Sequence, residues 1–173
     1  MKTLKVIVLL ATVMLAGCKS SVMMEYIFDQ DITEDEIRYE QLPARAQKYH
    51  EACHTPNDIK GVLVGQLSPN NKKAYLISFI DGGEMIFNKN GRCICMENWE
   101  HGLPSCWTSQ IPIYNVLYMT IKLQIVELNP DSKPWNIRCL ETHPNFYLVK
   151  VGIGPDIYQF YFDKKGKLLE TEI

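Results

Sequence analysis

The sequence contains no basic run. Its 18 Lys and Arg stand against 20 Asp and Glu, and no stretch gathers the cations together. Without Lys2 and Lys5, which belong to a leader described below, 16 cations face 20 acids, a net charge of −4. Proteins that hold phosphate backbones draw affinity from clustered cations, so nucleic acid is excluded as a partner, and no polybasic stripe exists for anionic lipid. Catalytic signatures are missing too. There is no G-x-S-x-G nucleophile elbow and no P-loop, and Cys93-Ile94-Cys95 does not have the C-x-x-C redox spacing. Gly152-Ile153-Gly154 lacks the third glycine and the helix of a dinucleotide site. Beyond residue 18 no segment is long and apolar enough to span a bilayer.

The leader is the strongest local signal. Lys2 and Lys5 open the chain, Val6 to Leu15 is apolar except for Thr12, and Leu15-Ala16-Gly17-Cys18 follows. The run is too short for a transmembrane helix and reads as a signal peptide over residues 1–17. Leu-Ala-Gly-Cys resembles the lipobox of bacterial lipoproteins. That resemblance implies cleavage before Cys18 and acylation of Cys18, each buried methylene contributing about 0.8 kcal/mol of anchoring. Lys19 stands where an aspartate would resemble an inner-membrane retention signal, so the expected site is the outer membrane of a diderm bacterium, facing the periplasm. Residues 18–41 are acidic and form the tether, with a short strand expected near Ile37-Arg38-Tyr39.

Five cysteines remain after Cys18: Cys53, Cys93, Cys95, Cys106 and Cys139. An exported chain meets an oxidising compartment, so all five are disulfide candidates, and the odd number leaves one thiol over. Cys93 and Cys95 alternate along a predicted strand and so should share a face. The pairing itself cannot be read from spacing.

Taken in order, Leu42-Pro43 opens a short helix to Cys53, with Leu42, Ala46, Tyr49 and Cys53 at helical spacing. Strands are predicted at Ile59 to Leu67, Ala74 to Ile80, Glu84 to Phe87 and Arg92 to Glu97, joined by turns at Ser68-Pro69-Asn70-Asn71, Asp81-Gly82-Gly83 and Asn88 to Gly91. Residues 98–110 read as a connection. Ile111-Pro112 then echoes Leu42-Pro43. The stretch Ile113 to Leu128 has strand-like composition, but its first part is assigned as a helix, with Ile113, Val116, Leu117 and Ile121 on one face. A second meander runs through Trp135 to Leu140, Phe146 to Val151, Ile157 to Phe162 and Leu168 onward, and Phe162-Asp163-Lys164-Lys165-Gly166 matches Phe87-Asn88-Lys89-Asn90-Gly91.

The expected fold is therefore α+β, in two repeats, each a helix followed by an antiparallel β-meander, with the helices packed on one face of the sheet. Residues 42–110 would form the first repeat with its connection, and residues 111–173 the second. On these elements the chain resembles the β-lactamase-inhibitor-like, PepSY-like family of exported bacterial proteins. The resemblance is carried by Leu42-Pro43 with Ala46-Gln47, Tyr75 to Phe79, Gly82-Gly83 and Phe87 to Gly91, with Ile111-Pro112 and Phe162 to Gly166 as second copies. It departs at Cys93, where the family pattern often has tryptophan. The resemblance implies no catalytic residues, no cofactor and an open sheet face for protein contacts.

Alternation assigns that face. If Tyr75, Ile77, Phe79, Met85, Phe87, Tyr147, Val149, Val151, Tyr158, Phe160 and Phe162 meet the helices, then Leu76, Ile86, Phe146, Leu148, Ile157 and Tyr161 point the other way. That outward set is apolar enough to serve as a protein-binding surface, so an unidentified protein partner in the cell envelope is expected. One rival is a zinc-dependent hydrolase. His50-Glu51-Ala52-Cys53-His54 spells H-E-x-x-H, which on a helix puts two histidines on one face for zinc and a glutamate beside a metal-bound water. Pro56 follows too closely, and no glycine and third histidine come after it, so no metal is assigned to His50 and His54. A purely structural envelope lipoprotein is the other rival.

Overall fold

The computed structural model describes residues 27–29, 35–53, 58–68 and 71–173. The leader, Cys18 and His54 lie outside the described residues. The strands are β1 (Ile27–Asp29), β2 (Asp35–Glu36), β3 (Ile59–Ser68), β4 (Lys72–Phe79), β5 (Glu84–Asn88), β6 (Cys93–Glu97), β7 (Trp135–Thr142), β8 (Phe146–Ile153), β9 (Asp156–Asp163) and β10 (Leu168–Glu172). Helices are α1 (Ala44–Glu51), α2 (Ser105–Thr108) and α3 (Tyr114–Leu128), and Tyr39–Gln41 adds a 3-10 turn. The expected strand at Ile37-Arg38-Tyr39 is displaced to β2, because Tyr39 enters that 3-10 turn.

Among the described residues all strands join one 10-stranded antiparallel sheet, in the order β1-β3-β4-β5-β6-β7-β8-β9-β10 with β2 also against β3. This corrects the two-repeat α+β expectation: the protein is mostly β, one continuous sheet with short helices, and not two helix-plus-meander repeats. The reason is the pairing of β6 with β7, where Cys95 opposes Glu141 and Met96 opposes Leu140. Strands that would have been exposed edges of two units satisfy each other's backbone groups, which removes the boundary.

The helices lie on one side of the sheet, over a core that contains Ile77, Phe79, Met85, Phe87, Met96, Leu140, Val149, Phe160 and Phe162. Into it α3 sends Leu117, Ile121 and Ile125, spaced to fall on one helical face. Val116, assigned to that buried face from sequence, is instead 48% exposed. The connection expected over residues 98–110 contains α2, whose Trp107 is fully buried among Phe79, Trp99 and His50. A helix of one turn has little stability of its own. The Cys53–Cys106 disulfide, with Cα atoms 5.7 Å apart, ties it to the end of α1.

Two turns fix how the helices sit on the sheet. After β5, Asn88 Oδ1 accepts from the Asn90 and Arg92 amides at 3.0 and 3.1 Å, and Gly91 adopts φ +73°. After β9, Asp163 Oδ1 accepts from the Lys165 and Lys167 amides at 2.8 and 2.9 Å, and Gly166 adopts φ +84°. A Cβ on Gly91 would lie 2.8 Å from the Ala46 amide nitrogen, and one on Gly166 would lie 2.7 Å from Val116. Each turn is thus pressed beneath a helix N-terminal end, a position that only glycine fills without strain.

Candidate functional site

The sheet face away from the helices carries the residues assigned to protein binding. A cross-strand row runs Leu63, Leu76, Ile86, Cys95, Glu141, Leu148, Tyr161 and Glu170, each opposite the next. Leu76, Ile86, Leu148 and Tyr161 are 2%, 0%, 0% and 4% exposed, so the expectation of an open surface at these positions is corrected. Leu76 and Ile86 belong to a second buried cluster with Leu67, Ala74, Ile94, Cys95 and Cys139, against which Phe28 and Leu63 pack. Phe146 is half-buried and stacks on His143, and Ile157 is exposed.

In the middle of this apolar row stands a polar group that sequence reading did not assemble. Cys95, Cys139 and Glu141 are all buried, with their ligand-capable atoms within 4.8 Å of one another. Glu141 Oε2 is 2.7 Å from His143 Nε2, and its Oε1 is 3.8 Å from Lys150 Nζ and 3.9 Å from Cys139 Sγ. A buried carboxylate without such partners would carry a large desolvation cost. His143 is held flat against Phe146, with ring centroids 4.1 Å apart. The adjoining Cys139 thiol, burial, and the Glu97 and Glu141 charges together hold the Cys95 thiol well above its ordinary pKa.

Two β-bulges build the group. Cys93 pairs with Phe87 and Cys95 with Ile86, so Ile94 is the extra residue in β6. Ile137 pairs with Val151 and Cys139 with Lys150, so Arg138 is the extra residue in β7. A bulge reverses the side-chain alternation beyond it. Cys93 therefore packs with the helix-side core while Cys95 points away, which corrects the expectation that the two share a face. In the same way Ile137 faces the helices and Cys139 does not. From Cys139 onward plain alternation adds Glu141 and His143, a C-x-E-x-H series that the sequence displays but that had no significance until the bulge was known.

The remaining cysteines divide accordingly. Cys53 and Cys106 are bonded, and Cys93, Cys95 and Cys139 are thiols. Burial pushes the Cys93 thiol up to about 12. Of the H-E-x-x-H stretch, His50 and Glu51 close α1, which ends at Glu51, and His54 lies outside the described residues. His50 is fully buried, stacks on Phe79 at 5.6 Å, and has Nδ1 3.1 Å from the Tyr39 hydroxyl. Cys53 is spent in the disulfide.

A third feature lies on the opposite side of the molecule. The outer face of α3 exposes Val116, Met119, Leu123 and Val126 at 48%, 55%, 68% and 74%. Their spacing of three, four and three is that of a coiled-coil seam. Lys122 and Glu127, both exposed, flank it.

The class that these features define is an antiparallel, mostly β sheet with helices on one side. No family model matches the sequence, and no curated protein sequence matches it. Solved structures share the fold. One is a proposed periplasmic protein of the DUF2874 family from Bacteroides vulgatus, 19% identical, with a TM-score of 0.62 over 84% of this chain and 100% of that chain. Another is a proposed calcium-regulated periplasmic protein from Bacteroides thetaiotaomicron, 20% identical, with a TM-score of 0.60 over 80% of this chain and 96% of that chain. A third, a proposed periplasmic protein of unknown function from Bacteroides vulgatus, is 16% identical, with a TM-score of 0.57 over 86% of this chain and 100% of that chain. These likenesses establish the fold. No family model bears out the PepSY-like resemblance expected from the turns and strands quoted above.

Proposed function

We propose that the chain is a non-enzymatic module of the cell envelope, held to the outer membrane through acylated Cys18 and facing the periplasm, that works by protein docking. The observation that carries this reading is the exposed apolar seam of α3. Leu117, Ile121 and Ile125 already attach the helix to the core, so Met119, Leu123 and Val126 are not needed for folding. Contiguous exposed apolar surface of this kind marks a contact site. The seam replaces the sheet face as the docking element, because Leu76, Ile86, Leu148 and Tyr161 are buried.

The occupant is a second copy of the chain. In a parallel two-stranded pairing, flanking positions of the two helices meet across the seam. Lys122 of each copy then meets Glu127 of the other, so the charges complement each other without any like-charge contact. A seam of about two heptads gives a weak interface by itself, and anchoring both copies in one membrane raises their effective concentration. The periplasmic setting of the structural neighbours supports this reading. The calcium regulation proposed for one of them is not carried over, since the metal-capable group among the described residues is thiol-rich and calcium takes oxygen ligands.

Crosslinking in native membranes and sedimentation of the full chain in detergent test the proposal. Self-association should be abolished by Leu123→Asp and weakened by Lys122→Glu, and the double change Lys122→Glu with Glu127→Lys should restore it. A wild-type chain that stays monomeric at high micromolar concentration, or an α3 seam crosslinked only to a different protein, would overturn it. An unchanged sedimentation profile in Leu123→Asp would favour a purely structural role.

A further inference from the structure

We propose that Cys95, Cys139 and Glu141 bind a divalent cation of the zinc class, with His143 as the residue that positions the carboxylate. The donor set is two thiols and one carboxylate oxygen, all buried, with their ligand atoms within 4.8 Å of one another. Zinc bonded to thiolates at about 2.3 Å in a tetrahedral site holds them roughly 3.8 Å apart, so closing the site needs a contraction of no more than about 1 Å. Soft thiolates select zinc over magnesium or calcium.

The surroundings are those of a metal site. Glu141 divides its two oxygens: Oε2 is taken by His143 at 2.7 Å, while Oε1 turns toward Cys139 Sγ at 3.9 Å and Lys150 Nζ at 3.8 Å. Carboxylates that ligate metals are themselves held by hydrogen bonds, and His143 supplies one to Glu141 here. The charges also close. Two thiolates, Glu141 and the metal dication sum to −1, which the Lys150 ammonium offsets. Loading is an exchange without redox change: both S–H bonds break heterolytically, both sulfur–metal bonds form, and two protons leave to solvent. Entry is open on one side, where a pocket of about 380 Å³ lined by Glu97, Glu100, Arg138, Cys139, Lys150 and Ile157 reaches Cys139.

A disulfide between the same two sulfurs is the competing outcome, and the register opposes it. Cys95 stands opposite Glu141, so Cys139 is its diagonal neighbour, two residues along β7. Diagonal partners in antiparallel pairs have Cα atoms roughly 7–8 Å apart, whereas a disulfide spans about 4.4–6.8 Å. The pair that is bonded, Cys53 and Cys106, lies at 5.7 Å. The two bulges turn Cys95 and Cys139 outward while Met96 and Leu140 enter the helix-side core, and bulges are frequent where a side chain must be re-aimed for function.

The test is cobalt titration, as a zinc surrogate, of the full chain purified from membranes under anaerobic conditions. A thiolate-to-cobalt charge-transfer band should saturate at one equivalent and be displaced by zinc but not by calcium. Cys95→Ser and Cys139→Ser should lose the band, Cys93→Ser should keep it, and His143→Ala should weaken binding by about 10–100-fold. If the serine variants lose cooperative melting, iodoacetamide labelling of the wild type decides. Zinc should slow modification of Cys95 and Cys139, and unchanged labelling would refute the site. A Cys95–Cys139 disulfide in chains trapped directly from membranes would overturn the proposal. So would a band that survives Cys139→Ser.

Discussion

Replacing Cys53 and Cys106 together by serine tests how α2 is held. The bridged residues are 53 apart in sequence. Closing a loop of that length removes unfolded-state entropy worth about 4 kcal/mol at room temperature in the chain-entropy treatment. Native domains hold only about 5–15 kcal/mol in total, so the variant should remain folded but lose a large share of its margin. The cost should be local as well as entropic, since the one-turn α2 brings Trp107 to the centre of the aromatic cluster and is fastened at Cys106. Urea unfolding followed by tryptophan fluorescence reads both effects. With a slope of about 2 kcal/mol/M, the midpoint should fall by about 2 M, and the slope should rise because the unfolded chain is less compact. Reductant should move the wild-type midpoint in the same direction. A loss of under about 1 kcal/mol, or a wild type indifferent to reductant, would refute the assignment of the bridge as the clamp on α2.

Other expectations follow from single contacts. Gly82→Ala, at φ +90° with open space around it, should cost about 1–2 kcal/mol, whereas Gly91→Ala, facing the Ala46 backbone, should cost distinctly more; equal urea midpoints would contradict the close approach of turn and helix. Trp107→Ala should lose about 3–5 kcal/mol, because the side chain is fully buried, and calorimetry can check this. Met119→Ala should change stability by less than about 0.5 kcal/mol, since the residue is 55% exposed, yet reduce self-association. Asp163 has its carboxyl pKa lowered, first by the Lys167 amide it accepts from. Its stabilising effect is therefore complete above the unfolded carboxylate pKa and lost as pH falls through the lower folded value. Asp163→Asn, which copies Asn88 at the other turn, should remove that acid dependence while preserving the turn, as amide chemical shifts of Lys165 and Lys167 would show.

Much of the sheet was legible because period-two alternation is a local property. The set from Tyr75 to Phe162 assigned to the helix side does pack there. What could not be read was anything depending on one extra residue. Ile94 and Arg138 look like ordinary strand residues, and only the pairing shows them as bulges that send Cys95 and Cys139 to the other face. The partition into repeats failed for a related reason. The matching turns at Gly91 and Gly166 are local, while the β6–β7 pairing that unites the sheet is long-range and leaves no mark in composition. His50 is the converse case, since a motif with catalytic spelling, to which no metal was assigned, sits where the fold places an aromatic-stacking residue beside Phe79 and Trp107.

The α3 segment shows how an ambiguous sequence can be informative. Its β-branched and apolar residues on every side gave a strand-like composition, and a helix apolar all round is ordinarily buried all round. Here it is not: Leu117, Ile121 and Ile125 are 0%, 0% and 5% exposed, while Leu123 and Val126 reach 68% and 74%. A single core stripe accounts for the folding of the helix, so the second stripe carries a cost in solubility that the fold alone does not explain. The same logic applies to Cys95, Cys139 and Glu141, because an apolar row across the sheet would be satisfied by three aliphatic side chains at lower desolvation cost. In both places the residues exceed what packing requires, and they do so with a spacing or a donor set that matches the proposed counterpart: a helix for one, a thiophilic cation for the other.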